Sequence, residues 1–199
     1  TGERLFETGV DHGVLYVYNT KSKQYGSGVP WNGLTGVTET PDGAEPNDLY
    51  ADNIKYATLR SAETFGGTIE AYTYPDEFGE CDGSASPADG VYLGQQGRKP
   101  FGFCYRTKVG SDSDVEASNY KIHIWYGCSA SPSERAYETV NDSPDAITFS
   151  WEVTTTPVNA TGYKPLATIT IDAWKLTAAA KTALETKLYG GQSSEPTLD

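Results

Sequence analysis

The sequence predicts an all-β dominated fold, a β-sandwich with one flanking α-helix near the C-terminus and long inter-strand loops. Three observations predict it. Stretches that alternate apolar and polar residues, rich in β-branched and aromatic side chains, recur along the chain. Twenty-one Gly and 11 Pro are spread through it as turn formers. Only one stretch, Thr177–Tyr189, carries helical spacing. The 199 residues suit one domain, over 1–191, with 192–199 as a polar, flexible tail.

The cleanest alternation lies in Ala146–Ala173. In AITFSWEVTTT, Ile147, Phe149, Trp151 and Val153 fall on one face and Thr148, Ser150, Glu152 and Thr154 on the other. After the turn-rich VNATGYKP, LATITIDA sets Ala167, Ile169, Ile171 and Ala173 against Thr168, Thr170 and Asp172. At about 3.3 Å per residue the first limb would reach roughly 33 Å. Each limb has one face for a core and one for water, and Trp151 belongs to the core.

The other elements follow in order. GVLYVYN (13–19) reads as a strand, and VPWNGLTGV (29–37) as a short or bulged one. TETPDGAEPND (38–48) reads as a long loop of the kind that serves function or a partner. IKYATLR (54–60) and TFGGTIEAYTY (64–74) are strands, with Gly66-Gly67 marking a bulge or a close backbone approach. PDEFGECDGSASPADG (75–90) is an acidic loop. FGFCYRTK (101–108) and YKIHIWY (120–126) form a hairpin whose tip lies at 110–118, and 129–141 is polar. Thr177 caps the helix, Ala180, Leu184 and Leu188 recur along it, and Gly190-Gly191 ends it.

Composition narrows the function. A net charge of -12 disfavours tight binding to phosphate backbones, which depends on Lys and Arg. Three cysteines without CxxC spacing argue against a disulfide framework or a zinc site and read as structural thiols. No apolar run approaches the length of a membrane span. Asn141 and Asn159 match the glycosylation acceptor pattern, which matters only in a secreted chain.

The candidates for chemistry are few. Asp76, Glu77, Glu80 and Asp82 could supply paired carboxylates for glycosidic hydrolysis, although a solvated acidic turn is the ordinary reading of such a cluster. Their spacing does not make a calcium loop. His12 and His123 lack ligand-like neighbours, and His123 is expected at a surface or interface. Trp125 shares its strand face with Lys121 and His123, which leaves a ligand or subunit contact open. Arg98 and Lys99 read as a patch for an acidic neighbour. No nucleophile or phosphate-loop motif is present, and no cofactor is expected.

Several segments together resemble the major tail tube proteins of long-tailed phages of Gram-positive bacteria. They are VPWNGLTGVTETPDGAEPNDLYADNIKY (29–56), FGGTIEAYTYPDEFGECDGS (65–84), GQQGRKPFGFCYRT (94–107) and the stretch from Tyr120 to Pro165. The resemblance lies in the ordered set of segments, covers most of the chain and is weakest in the Ala/Thr-rich helix and beyond Gly190. It implies a non-enzymatic structural protein: a β-sandwich assembled as hexameric rings that stack into a tube, assembled in the host cytoplasm and located in the virion tail. It also implies tape-measure and tail-terminator partners and passage of DNA without tight binding.

On that reading the expected lumen lining is Thr68, Glu70, Thr148, Ser150, Glu152, Thr168, Thr170 and Asp172. The expected ring-to-ring contact loop contains Thr40, Asp42, Glu45, Asn47, Asp48 and Tyr50. Six copies would carry about -72 formal charges per ring, a field that lets a polyanion slide without sticking. The alternative is a carbohydrate- or cell-surface-binding β-sandwich module of a virion.

Overall fold

The computed structural model describes residues 4–43, 45–111, 119–140, 145–192 and 194–199. The acceptor pattern at Asn141 and most of the hairpin tip at 110–118 lie outside the described residues. Along the chain come β1 (Leu5–Asn19), β2 (Gln24–Tyr25), β3 (Val29–Trp31), β4 (Leu34–Glu39), β5 (Asp42–Gly43) and β6 (Pro46–Ala51). Next are β7 (Ile54–Arg60), β8 (Glu63–Thr64) and β9 (Gly66–Ala71), then a 3₁₀ turn (Asp76–Phe78) and α1 (Gly79–Asp82). β10 (Ala85–Ala88), β11 (Val91–Leu93), β12 (Phe101–Ser111), β13 (Asn119–Ala130), β14 (Phe149–Thr155), β15 (Thr168–Asp172) and α2 (Ala178–Tyr189) complete it. The fold is mostly β, as the alternation predicts.

Nine strands make one antiparallel sheet in the order β2-β1-β12-β13-β14-β9-β4, with β3 on β1 and β15 on β13. β13 is its branch point. Lys121–Trp125 pairs with β15, and Cys128–Ala130 pairs with β14. Between them Gly127 takes φ 58°, where an added Cβ would stand 2.2 Å from the Thr156 carbonyl oxygen. Only glycine lets the strand leave one partner and take the next. Thus the two limbs of Ala146–Ala173 do not pair with each other; both attach to β13.

The branch lets β14, β9 and β4 fold over β1, β12 and β13. Between them lies the larger core, with Trp31, Phe78, Phe103, Trp125, Trp151, Leu15 and Ile69. Rings meet edge to face: Trp31 and Trp151 are 5.5 Å apart, and Phe78 and Trp151 5.1 Å. Such contacts add to the area-proportional gain from burying large rings. The second cluster covers the opposite face of β1, β12 and β13, where Tyr16, Cys104, Ile122 and Ile124 meet Ile169, Leu184 and Leu188. Both faces of β12 and β13 are therefore buried along most of their length.

The helix begins where expected, with Thr177 Oγ1 accepting from the Ala180 N–H at 3.3 Å. Gly190 ends it with φ 83°. The expectation of a flexible tail is corrected. Pro196 accepts from the Gly28 N–H, Thr197 donates to the Lys187 carbonyl, and Leu198 is buried in the second cluster. Leu198 seats against Gly102, where any Cβ would stand 2.1 Å from its Cδ2. Polar composition hid one apolar anchor.

Two aromatic assignments also change. Trp125 is fully buried in the larger core, and His123 is 8% exposed. Their strand face carries Lys121 only at its outer end, so the face looks polar in sequence but turns into the core. The close approach at Gly67 is present: a Cβ there would stand 2.3 Å from the Thr38 carbonyl oxygen and 2.6 Å from the Trp125 ring.

Candidate functional site

The expected lining residues divide into two sets. Ser150 pairs with Glu70 and Glu152 with Thr68, so these four side chains share one face of β14 and β9. That face points away from Trp151 and Ile69, outward from the core. Both carboxylates are exposed. Thr148 precedes β14 and is exposed without belonging to a strand, so the first limb is shorter than its alternation suggests.

Thr168, Thr170 and Asp172 do not join this face. They pair with Trp125, His123 and Lys121, on the core side of β13, while Ile169 and Ile171 pack toward α2. The expectation of a single lining is corrected here, because the branch at Gly127 puts the polar sides of β14 and β15 on opposite sides of the sheet. Thr170 Oγ1 stands 3.4 Å from His123 Nδ1, and Asp172 bonds Lys175.

The expected contact loop forms an arm rather than a loop. β4 and β9 continue outward as the β5–β8 and β6–β7 pairs, making a long hairpin through 34–71. Thr40 lies at its root, where its N–H donates to the Gly66 carbonyl, Asp42 lies in β5, Glu45 just before β6, and Asn47, Asp48 and Tyr50 in β6. Pro46 is the first residue of its strand, a position that needs no ladder donor. The composition of 38–48 gave no alternation because a ribbon exposed on both sides imposes none.

The arm is two-faced. Asp48 accepts from Thr58 Oγ1 at 2.7 Å and pairs with Lys55 at 2.8 Å on one face. Leu49 with Ala57 and Ala51 with Ile54 lie on the other, together with Leu59. Ile54 is 64% exposed, and Leu49 and Leu59 are exposed too. A two-stranded hairpin is at best marginally stable alone in water, so an uncovered apolar ribbon calls for a partner.

Glu39 fastens the arm to the core. Its Oε1 accepts from the Tyr105 hydroxyl at 2.8 Å and the Trp125 indole N–H at 3.2 Å. His123 Nδ1 is 3.7 Å away, an electrostatic neighbour rather than a hydrogen-bond donor at that distance. The imidazole contributes most to the shift, and with the two donors it outweighs burial and brings the carboxyl down to about 2. Nothing in the sequence signals this group, which joins residues 66 and 86 positions apart.

No family model and no curated protein matches the chain.

The acidic loop proves to be a structural joint. Asp82 pairs with both Arg98, at 3.4 Å, and Arg135. Arg98 also donates to the Ala130 carbonyl at 3.1 Å, and Arg135 lies over the Tyr74 and Phe149 rings. Glu80 pairs with Lys99. Arg98 and Lys99 therefore serve acids of their own chain. Residues 85–90, expected as part of the acidic loop, join 91–93 in the β10–β11 hairpin around Asp89-Gly90, a turn signal followed directly by the strand VYL. Val91, Tyr92 and Leu93 are all exposed.

Among the described residues, no cluster of His, Cys, Asp and Glu is arranged to hold a metal ion. Cys81, Cys104 and Cys128 are free and buried, and burial pushes the thiols of Cys81 and Cys104 up to about 12. Thiolates are the reactive form, so these positions are inert. No helix among the described residues is long and apolar enough to cross a membrane.

Proposed function

We propose that this chain is the repeating structural subunit of a phage tail tube, a non-enzymatic protein that forms stacked hexameric rings around a DNA-conducting channel. The observation that carries this reading is the arm through 34–71, which exposes an apolar face that is uncovered among the described residues. The mostly β, folded-over sheet supports that reading. Its outward face, with Thr68, Glu70, Ser150 and Glu152, supplies the acidic, lysine-free surface that a passing polyanion would not grip. On this reading the lumen lining shrinks to those four residues. Thr168, Thr170 and Asp172 belong to the interior edge.

Tape-measure and tail-terminator proteins remain its expected partners, and the virion tail its location. The alternative, a glycan-binding module, loses its best platform because Trp125 is buried. Electron microscopy of the concentrated protein should show rings or tubes; a persistently monomeric protein would overturn the proposal. The lining has its own test. Replacing Glu70 and Glu152 by Lys should make assembled tubes retain DNA at low salt and release it as salt rises, with tube shape unchanged. Tubes of that variant that pass DNA as the wild type does would refute the assignment of this face.

A further inference from the structure

His123, buried on β13, meets polar groups from three other strands. Its ring lies parallel to that of Tyr105 on β12, with centroids 4.7 Å apart and planes 5° from parallel. Nε2 is 2.9 Å from Thr107 Oγ1, and that hydroxyl is 3.3 Å from a carboxylate oxygen of Glu7 on β1. Nδ1 is 3.4 Å from Thr170 Oγ1 on β15 and 3.7 Å from Glu39 Oε1 at the end of β4. Two residues along the same face, Trp125 touches both limbs of the arm. Its N–H reaches Glu39 in the outgoing limb, and its ring meets Phe65, in the returning limb, at 5.3 Å. The other charges at the outer end of this face are paired, Lys121 with Glu7 and Asp172 with Lys175.

The donors and acceptors around the ring call for a proton at each nitrogen. The Thr107 hydroxyl has a single proton, and a carboxylate can only accept, so that proton goes to Glu7 and Nε2 donates to Thr107. At the other nitrogen stands Glu39, whose carboxyl is brought down to about 2 and which is therefore ionised. A lone pair on Nδ1 would be repelled there, and an N–H is attracted. The imidazolium satisfies both ends. A neutral ring has one N–H and leaves the other nitrogen's lone pair against an acceptor, in a site where the residue is 8% exposed.

We propose that His123 is a proton-operated latch on the root of the arm: charged, it holds Glu39 and with it the outgoing limb; neutral, it lets the root loosen while the rest of the sheet stays folded. The loosening is confined to the root because β4 is the edge strand and pairs only with β9, whereas β12 and β13 are paired on both sides. The sign follows from linkage. The latched state holds the extra proton, so raising the pH through the histidine's titration releases the arm and lowering it restores the hold, until acid neutralises Glu39 itself. The latch belongs to the single subunit and does not depend on the tube reading.

The test is a titration of the dilute, unassembled full chain from about pH 5 to about pH 9, the span over which histidines change charge. His12 and His123 are the only histidines, so ring-proton NMR follows both. His12→Asn assigns them, because Asn tolerates the φ of 51° at that exposed position. Hydrogen-exchange protection is read at the Thr40 N–H, which donates to the Gly66 carbonyl, and along β4–β9. It should fall about tenfold or more as the His123 signal titrates, while the β12–β13 ladder stays level. In His123→Gln, which keeps a polar side chain without a titrating charge, the root should show no such step. If that variant does not fold, the wild-type curves decide alone. Root protection that stays level across the span, that departs from the His123 curve, or that falls equally in His123→Gln would overturn the latch.

Discussion

Replacing Asp82 by Ala probes the joint that holds the α1 and β10–β11 segment to the end of β13. The carboxylate is 9% exposed and serves two guanidinium groups, those of Arg98 and Arg135, which are 27% and 30% exposed. Breaking a buried ion pair from one side costs about 3–5 kcal/mol, because the remaining charge stays unpaired away from water. Here two like charges would face each other, but each retains some access to solvent, which lowers the expected loss to about 2–3 kcal/mol. For a chain of this size that corresponds to a fall in Tm of about 5–10 °C.

Thermal melts by circular dichroism would read it, together with the double variant Asp82→Ala/Arg135→Met. The double variant should recover part of the loss, since it removes one stranded charge while keeping an apolar stem against Tyr74 and Phe149. A melting temperature within about 1 °C of wild type for Asp82→Ala would refute the argument, given the sensitivity of Tm to lost stability. A third variant addresses hydrolysis: a catalytic Asp82 predicts a lost activity in Asp82→Asn whatever happens to stability.

Two further outcomes follow from the packing. Glu39, brought down to about 2 from an ordinary 4.5, contributes fully above pH 4.5 and loses its contribution as pH falls from there toward 2. Glu39→Gln should therefore melt lower than wild type at neutral pH, by about 1–2 kcal/mol, and the gap should close on acidification; a gap independent of pH would contradict the assignment. Leu198→Ala should cost about 2–3 kcal/mol in urea unfolding, whereas a tail detached from the core predicts no change.

Strand positions were legible wherever one face met water or the core changed character regularly. The faces of β14 and the cap at Thr177 were readable for that reason. His123 and Trp125 were misjudged because Lys121, at the outer end of the same face, made a buried face look wet. The outgoing limb of the arm, 38–48, was missed as structure because exposure on both sides removes the pattern that marks a strand. The division of the lining was beyond sequence reading altogether, since it depends on Gly127 redirecting β13 between two partners. Likewise Asp82, Arg98 and Arg135 are separated by 16 and 53 residues and share no local signature. The Asp89-Gly90 turn followed by VYL was a hairpin signal in plain view, overshadowed by the acids that precede it.

The order of layers gives the two sides of the subunit different uses. The C-terminal segment lies with α2 on the outer cluster, where the Asp199 carboxylate accepts from the Tyr25 N–H at 3.1 Å. Glu70 and Glu152 lie on the far side, beyond the sheet and the aromatic core. A peptide or small domain joined at Asp199 would be displayed on the helix side, one copy per subunit, whatever else the chain carries. If the chain polymerises, its lattice would become a regularly spaced scaffold for cargo, leaving the opposite acidic face uncluttered.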